Sequence, residues 1–350
     1  MWKTLGQNHA IALFERALKA DSMSQVYLIT GSENIGKNTL ALDFAMALNC
    51  MDSNPPCGQC NSCQRIMRSL HADIIYISTR VSLVKNEADY KGSMEIGIDD
   101  MRRMQQLIPL PPYEGKYKIF IIDGADLLSN EGANCILKTL EELLPHVMVM
   151  LLAADEKKVL PTIVSRCQRI HLEPLTPAAI ENHLVNALAL EGTKARYIAK
   201  LSAGRLGFAV SAACDESVLH HHSQMVDDMI HLLTSDLGER FSYIVQLDMR
   251  YRNIDLRKNA ESMLSIWLSL WRDFLLVKCN CTSDIMNTME LQRIEDCSAL
   301  LELGEIKSFV SDMQRSLLLI SKNANIRLTM EVLMLHMPLI TVSGTRQGAD

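Results

Sequence analysis

The sequence predicts an α/β P-loop domain, a parallel sheet with helices on both faces, followed by an all-helical region. Three observations lead there. Apolar β-rich runs alternate with helical stretches up to about residue 170, and such runs stop beyond it. A glycine-bearing turn also joins the first apolar run to the first long helical stretch. The chain's 350 residues suit two or three domains.

Taken in order, strands are expected at 25–30, 74–77, 118–123, 146–153 and 169–172, each a short run rich in Val, Ile or Leu. Between them, Leu40, Phe44, Ala47 and Leu48 share one helical face. A second helix is expected over 130–144, with Ala133, Ile136, Leu137, Leu140 and Leu144 as its stripe. After residue 173 every periodic stretch is helical. Thr176 is placed to cap a helix that opens on Pro177. The stretch 214–222, with three consecutive histidines, reads as a solvated connector rather than a metal site. A later helix carries Leu264, Trp267, Leu270, Trp271 and Phe274 on one face.

Composition narrows the function. Hydrophobic residues make up 48% and charged residues 22%, as in a folded globular chain. Lys plus Arg number 35 against 41 acidic residues, a net charge of −6. That balance lacks the basic footprint needed to coat nucleic acid alone. No apolar run approaches the ~18–20 residues of a membrane span. The first residues show no basic region followed by an apolar stretch, so the expected location is the cytoplasm, with no membrane partner.

The turn Gly31-Ser32-Glu33-Asn34-Ile35-Gly36-Lys37 has the context a phosphate loop needs, after a strand and opening a helix. Its glycines let backbone N–H groups wrap phosphate oxygens, and Lys37 would reach the terminal phosphates. The pattern then asks for a magnesium-binding hydroxyl. Here Asn38 stands in that place, with Thr39 one step late. Asp123 ends the third strand, where a carboxylate would hold Mg²⁺ through water. Gly124 follows where an active ATPase would carry a base, and Ala153 and Ala154 stand where a polar side chain should meet the γ-phosphate. Asp126, close by, reads as a cap or turn residue. ATP with Mg²⁺ is thus a possible ligand of a degenerate site.

Cys50, Cys57, Cys60 and Cys63 supply four thiols in fourteen residues. Two-residue gaps let sulfurs converge on one ion, and four protein ligands make a closed structural Zn²⁺ site. A redox Cys-x-x-Cys pair is the competitor, but it needs only two of them. Clustered thiols without a signal also fit a reducing compartment. Arg166, just before the short fifth strand, could neutralise charge on a phosphoryl group held by a neighbouring subunit. A surface salt bridge is the plainer alternative.

Together these residues resemble the AAA+ clamp-loader family of bacterial DNA polymerase III, in its delta-prime branch. The resemblance rests on the phosphate loop with its four-cysteine insert, on His71-Ala72-Asp73, and on Ile96-Gly97-Ile98-Asp99 with Arg102. It extends through Tyr113-Glu114-Gly115 and Tyr117-Lys118, Ala133-Asn134 with Ile136-Leu137-Lys138-Thr139-Leu140-Glu141-Glu142, and Ser165-Arg166-Cys167. Residues 1 to about 210 carry most of it. The rest depends chiefly on Asn323, Asn325, Arg327 and Leu328.

The resemblance implies an AAA+ P-loop domain at 1–172 with the zinc module at 50–63, and a helical lid at 173–213. An all-α collar for oligomerisation would follow at 214–340, and a disordered tail at 341–350. It implies a stationary subunit in a ring that loads a sliding clamp onto primer-template DNA, beside gamma/tau-like motor subunits and a delta-like subunit. Arg166 would be an arginine finger in trans, and Arg205 a nucleotide-sensing lid arginine. A working gamma/tau-like ATPase motor is the alternative within the family; it predicts a hydroxyl at 38 and a carboxylate at 124. A freestanding P-loop kinase or nuclease-associated ATPase accounts poorly for the arginine motif and the long helical part.

Overall fold

A computed structural model of the chain describes residues 2–20, 23–79, 81–84, 95–251 and 256–340. They fall into two units, Met1–Ala179 with Gly204–Phe208, and Ile180–Ala203 with Ala209–Asp350. The tail expected after residue 340 lies outside the described residues.

The first unit contains α1 (Asn8–Ala20), β1 (Val26–Thr30), α2 (Lys37–Asn49), α3 (Asn61–Met67), β2 (Ile74–Ser78) and α4 (Ile98–Leu107). It continues through β3 (Lys118–Asp123), α5 (Asn130–Glu141), β4 (Val147–Ala153), α6 (Pro161–Val164) and β5 (Gln168–His171). All five strands pair in parallel, in the order β2-β3-β4-β1-β5. They lie within a residue or so of the sequence-based positions.

Strand alternation builds two cores from one sheet. Tyr27, Ile29, Ile119, Ile121, Met148 and Met150 pack on one side with Phe14 of α1 and Leu40 and Phe44 of α2. Val26, Leu28, Phe120, Ile122, Val147 and Val149 pack on the other with Met101 and Met104 of α4 and Ile136 of α5. Phe14 and Phe44 stack with ring centroids 3.7 Å apart, and Tyr27 meets both edge-on.

One boundary differs from expectation. The helix expected over 130–144 stops at Glu141, and Leu144 is exposed rather than part of the stripe. Pro145 disfavours a helical residue before it, and the chain must turn to enter β4 at Val147.

The remaining helices are α7 (Pro177–Leu188), α8 (Gly192–Leu201), α9 (Leu206–Cys214), α10 (Glu216–Thr234), α11 (Leu237–Tyr251) and α12 (Leu256–Lys278). Then come α13 (Leu291–Leu300), α14 (Leu303–Ser321) and α15 (Ile326–His336). The Thr176 hydroxyl accepts the Ala179 N–H, as a cap should. The histidine stretch is not a connector. Asp215 caps α10 through the Ser217 N–H at 2.9 Å, and His220 to His222 lie within that helix, His222 buried one turn before Met225 and Val226.

Leu264, Trp267, Leu270, Trp271 and Phe274 are all buried in the second unit's core, with Phe309, Met313, Met330 and Leu333. Helix α15 is apolar on more than the buried side. Leu328, Val332 and Leu335 are exposed on it, and Leu339 beyond its end repeats the spacing. Among the described residues, no helix is long and apolar enough to cross a membrane.

Candidate nucleotide site, cysteine knuckle and arginine turn

Strand register pairs Ser78 with Asp123, Asp123 with Leu152, and Thr30 with both Ala153 and His171 at the sheet's C-terminal edge, where parallel sheets present their ligand sites. The phosphate loop leaves this edge at Thr30. At Gly31 a side chain would meet the Leu172 carbonyl oxygen at 3.0 Å. At Gly36, φ is 114°, a left-handed conformation that favours glycine. Gly36 also caps α2 without a side-chain acceptor, leaving the N–H groups of the first turn to an anion.

The charged parts of the loop have partners inside the chain. The Lys37 ammonium donates to the carbonyls of Gly31 at 2.7 Å and Ser32 at 2.9 Å. Burial lowers its pKa, against the pull of Asp123, Asp126 and Glu33. Asn38 and Thr39 are exposed in the first turn of α2. Asp123 accepts a hydrogen bond on Oδ2 from the Tyr76 hydroxyl of the neighbouring strand. Burial, then this bond and the Asp123 charge, push the Tyr76 hydroxyl well above its ordinary pKa, so it stays a donor. Gly124 has φ 106°, so the backbone itself disfavours any side chain there. Asp126 does serve a turn: its carboxylate accepts the N–H groups of Ala154 at 3.1 Å and Asp155 at 3.2 Å.

Residues 204–208 reach the loop from far along the sequence. Gly207 N–H donates to the Asn34 carbonyl at 2.7 Å, and Asn34 holds φ 59° to offer it. A side chain at 207 would meet that carbonyl oxygen, also at 2.7 Å. Arg205 is half-buried, its guanidinium carbon 5.1 Å from the Phe208 ring centre. Burial lowers its pKa, and the charge of Glu33 opposes the shift. The glycine turn, the uncapped helix start and Lys37 therefore fit a phosphate group. An amide at 38 and a carboxylate held by Tyr76 fit Mg²⁺ poorly.

The cysteines present the opposite picture. All four sulfurs lie within 4.8 Å of one another, with Cys50 to Cys60 and Cys57 to Cys63 each at 4.0 Å. Tetrahedral zinc with Zn–S bonds of about 2.3 Å places sulfurs about 3.8 Å apart, so the set fits a closed site. Backbone N–H groups of Asp52, Gln59, Cys60 and Cys63 point at the sulfurs of Cys50, Cys57, Cys57 and Cys60. Burial resists ionisation of Cys60, yet amides and neighbouring thiols outweigh it and bring that thiol down to about 6. Burial holds Cys50 and Cys63 up. Among the described residues, no other cluster of three or more such ligands occurs, and the α10 histidines form none.

The knuckle is braced from one side. Asn49, at the end of α2, exchanges two hydrogen bonds with the Tyr117 backbone, and Lys116 donates to the Cys50 carbonyl at 3.4 Å. The adjoining turn is held by Asp73, whose buried carboxylate accepts the N–H groups of Tyr113, Glu114 and Gly115 at 2.6–2.8 Å. His71-Ala72-Asp73 and Tyr113-Glu114-Gly115 are thus two halves of one structural clamp, closed by the Arg65–Glu114 ion pair at 3.1 Å.

Arg166 follows α6 in a turn that its neighbours tie down. The Ser165 hydroxyl donates to the Thr162 carbonyl, and the Cys167 thiol to the Ile163 carbonyl, both at 3.1 Å. The guanidinium meets Glu141 at the end of α5 through Nε, at 2.7 Å, and through Nη2. Nη1 donates to the Thr162 carbonyl at 2.7 Å. Within this chain, then, Arg166 makes the salt bridge that was the plainer alternative, and it stays one-third exposed.

Tyr76 and Glu141 were not legible as site residues. A tyrosine among the isoleucines of a strand does carry a signal, since its hydroxyl needs a partner when buried. Glu141 had none.

A parallel sheet in this order, with a phosphate loop after β1 and an aspartate ending β3, defines a P-loop domain. Residues 6–176 match the family described as DNA polymerase III, delta subunit. The DNA polymerase III subunit tau/gamma of Haemophilus influenzae is 26% identical over 282 residues, 79% of this chain and 39% of that protein. Subunit tau of Bacillus subtilis is 31% identical over 214 residues, 59% and 36%. Subunit delta' of Bacillus subtilis is 25% identical over 280 residues, 79% of this chain and 80% of that protein. The chain is thus similar to the delta', tau and gamma subunits of DNA polymerase III, and the family model matches the part of it that holds the sheet. It spans about two fifths of the length of the tau/gamma relative.

Proposed function

We propose that this chain is a delta-prime-like, stationary subunit of a clamp loader, which leaves ATP turnover to its neighbours and lends them Arg166. In this reading the sheet unit is an AAA+ domain with a degenerate site, 173–213 is the lid and 214–340 the collar. Its partners are gamma/tau-like motor subunits and a delta-like subunit, and through them the sliding clamp and primer-template DNA. Zinc, bound by Cys50, Cys57, Cys60 and Cys63, is structural.

The observation that carries the reading is Gly124. The residue after Asp123 holds φ 106°, so the backbone as well as the side chain lacks provision for a catalytic base. The Tyr76 bond to Asp123 points the same way. The exposed stripe Leu328, Val332, Leu335 and Leu339 supports assembly through the helical unit. Relatives named tau and gamma favour the motor alternative, and one experiment separates the two.

The chain is combined with clamp-loader motor subunits and ATP hydrolysis is measured with wild-type and Arg166→Ala protein. The isolated chain should turn over no ATP. The complex with Arg166→Ala should assemble, yet lose hydrolysis at the site that Arg166 faces. Turnover of order 1 s⁻¹ by the isolated chain would establish the motor instead. Full activity of the Arg166→Ala complex would remove the finger.

A further inference from the structure

We infer that Glu141 is a positioning residue for Arg166, setting its guanidinium before a neighbour's nucleotide meets it; this rests on the finger reading above. The two residues come from different elements, the end of α5 and the turn after α6. Glu141 takes the edge formed by Nε and Nη2, and the Thr162 carbonyl and Ser165 hydroxyl take Nη1. A guanidinium has five N–H donors. Four are thereby directed within the chain, and one on Nη2 is left for an incoming phosphate oxygen.

Three features separate this from an ordinary surface pair. The turn is itself fixed, because Ser165 and Cys167 satisfy the carbonyls of Thr162 and Ile163. Nε and Nη2 both converge on the one oxygen Oε1 of Glu141, so a single acceptor holds one edge of the planar guanidinium and sets its orientation as well as its place. Both side chains are reachable, at 33% and 47% exposed, so an outside anion can approach the arginine where it stands. Exposed pairs of this kind are weak. Glu141 therefore aims the guanidinium without locking it away from a triphosphate.

The test uses the complete complex with motor subunits and four versions of this chain: Glu141→Ala, Glu141→Gln, Arg166→Ala, and Arg166→Ala with Glu141→Ala. Glu141→Ala should lower kcat about tenfold while KM for ATP stays within about twofold. Glu141→Gln keeps an acceptor oxygen of the same reach and should recover part of the loss. In the Arg166→Ala background, Glu141→Ala should change nothing further, whereas a purely structural role would add its own loss. Thermal unfolding of each chain reads the fold separately.

Unchanged or raised kcat in Glu141→Ala, beside a clear loss in Arg166→Ala, would overturn the positioning role and leave the finger standing. Additive losses in the double variant would also overturn it. Full activity of Arg166→Ala would remove the finger, and the positioning role with it.

Discussion

Helix α2 carries a binding loop at each end. It opens on Gly36 and the phosphate loop, and it closes on Cys50, the first of four converging thiols. At the cysteine end the ligand atoms face one another, and the backbone N–H groups aimed at the sulfurs favour the thiolates a metal would take. At the phosphate end Lys37 and Asp123 are strong partners already engaged, one with backbone carbonyls and the other with Tyr76. Having the right residue types is therefore not the same as offering them. A site is ready when its ligands converge and their best partner is the ligand to come.

The largest effect should come from breaking the ready end. Cys60→Ser should lose the bound equivalent of zinc and about 2–3 kcal/mol of stability, roughly 5–10 °C in Tm for a domain of this size. Elemental analysis and thermal unfolding read both, and a variant that keeps its zinc would strike Cys60 from the ligand set.

Next comes the clamp beside the knuckle. Burial raises the Asp73 pKa, but the three N–H groups of Tyr113, Glu114 and Gly115, with His71, outweigh it and leave it depressed. With the folded value below the unfolded one of about 3.9, its contribution is full above that pH and is lost as acid protonates the folded form. Asp73→Asn should destabilise by about 1–3 kcal/mol at neutral pH. The gap to wild type should close as pH falls below about 4 in urea titrations. A gap that stays constant with pH would deny the carboxylate its charge role.

The smallest effect tests the engaged end. Tyr76→Phe removes one hydroxyl near the surface end of a strand and should move stability by no more than about 1 kcal/mol. It frees Asp123, so Mg²⁺-dependent ATP binding by the isolated chain, measured by calorimetry, should tighten. Unchanged binding would mean that the amide at Asn38, not Tyr76, keeps the two ends of α2 apart in character.

Much of the fold was legible because its signals are local. Each strand is a run such as Lys118 to Asp123, and two-sided burial makes such runs nearly all apolar. The cysteine knuckle was legible for the same reason, with its ligands thirteen positions apart at most. Contacts between distant segments were not. Nothing in Gly207 foretells that its N–H reaches Asn34, and nothing in Glu141 foretells Arg166. The helix end misjudged near Leu144 shows a periodic stripe outrunning the helix that Pro145 cuts short. In the histidine stretch, three polar residues masked a helix whose evidence lay on either side, in the Asp215 cap and in Met225 and Val226.

Helix α15 has a consequence for how the chain can be handled. Met330, Leu333 and Met334 anchor it inward, while Leu328, Val332, Leu335 and Leu339 present an apolar face to water. Under the assembly proposed above, the polypeptide made in surplus over its partners should stick to itself, and its yield in pure form should climb when they are synthesised alongside.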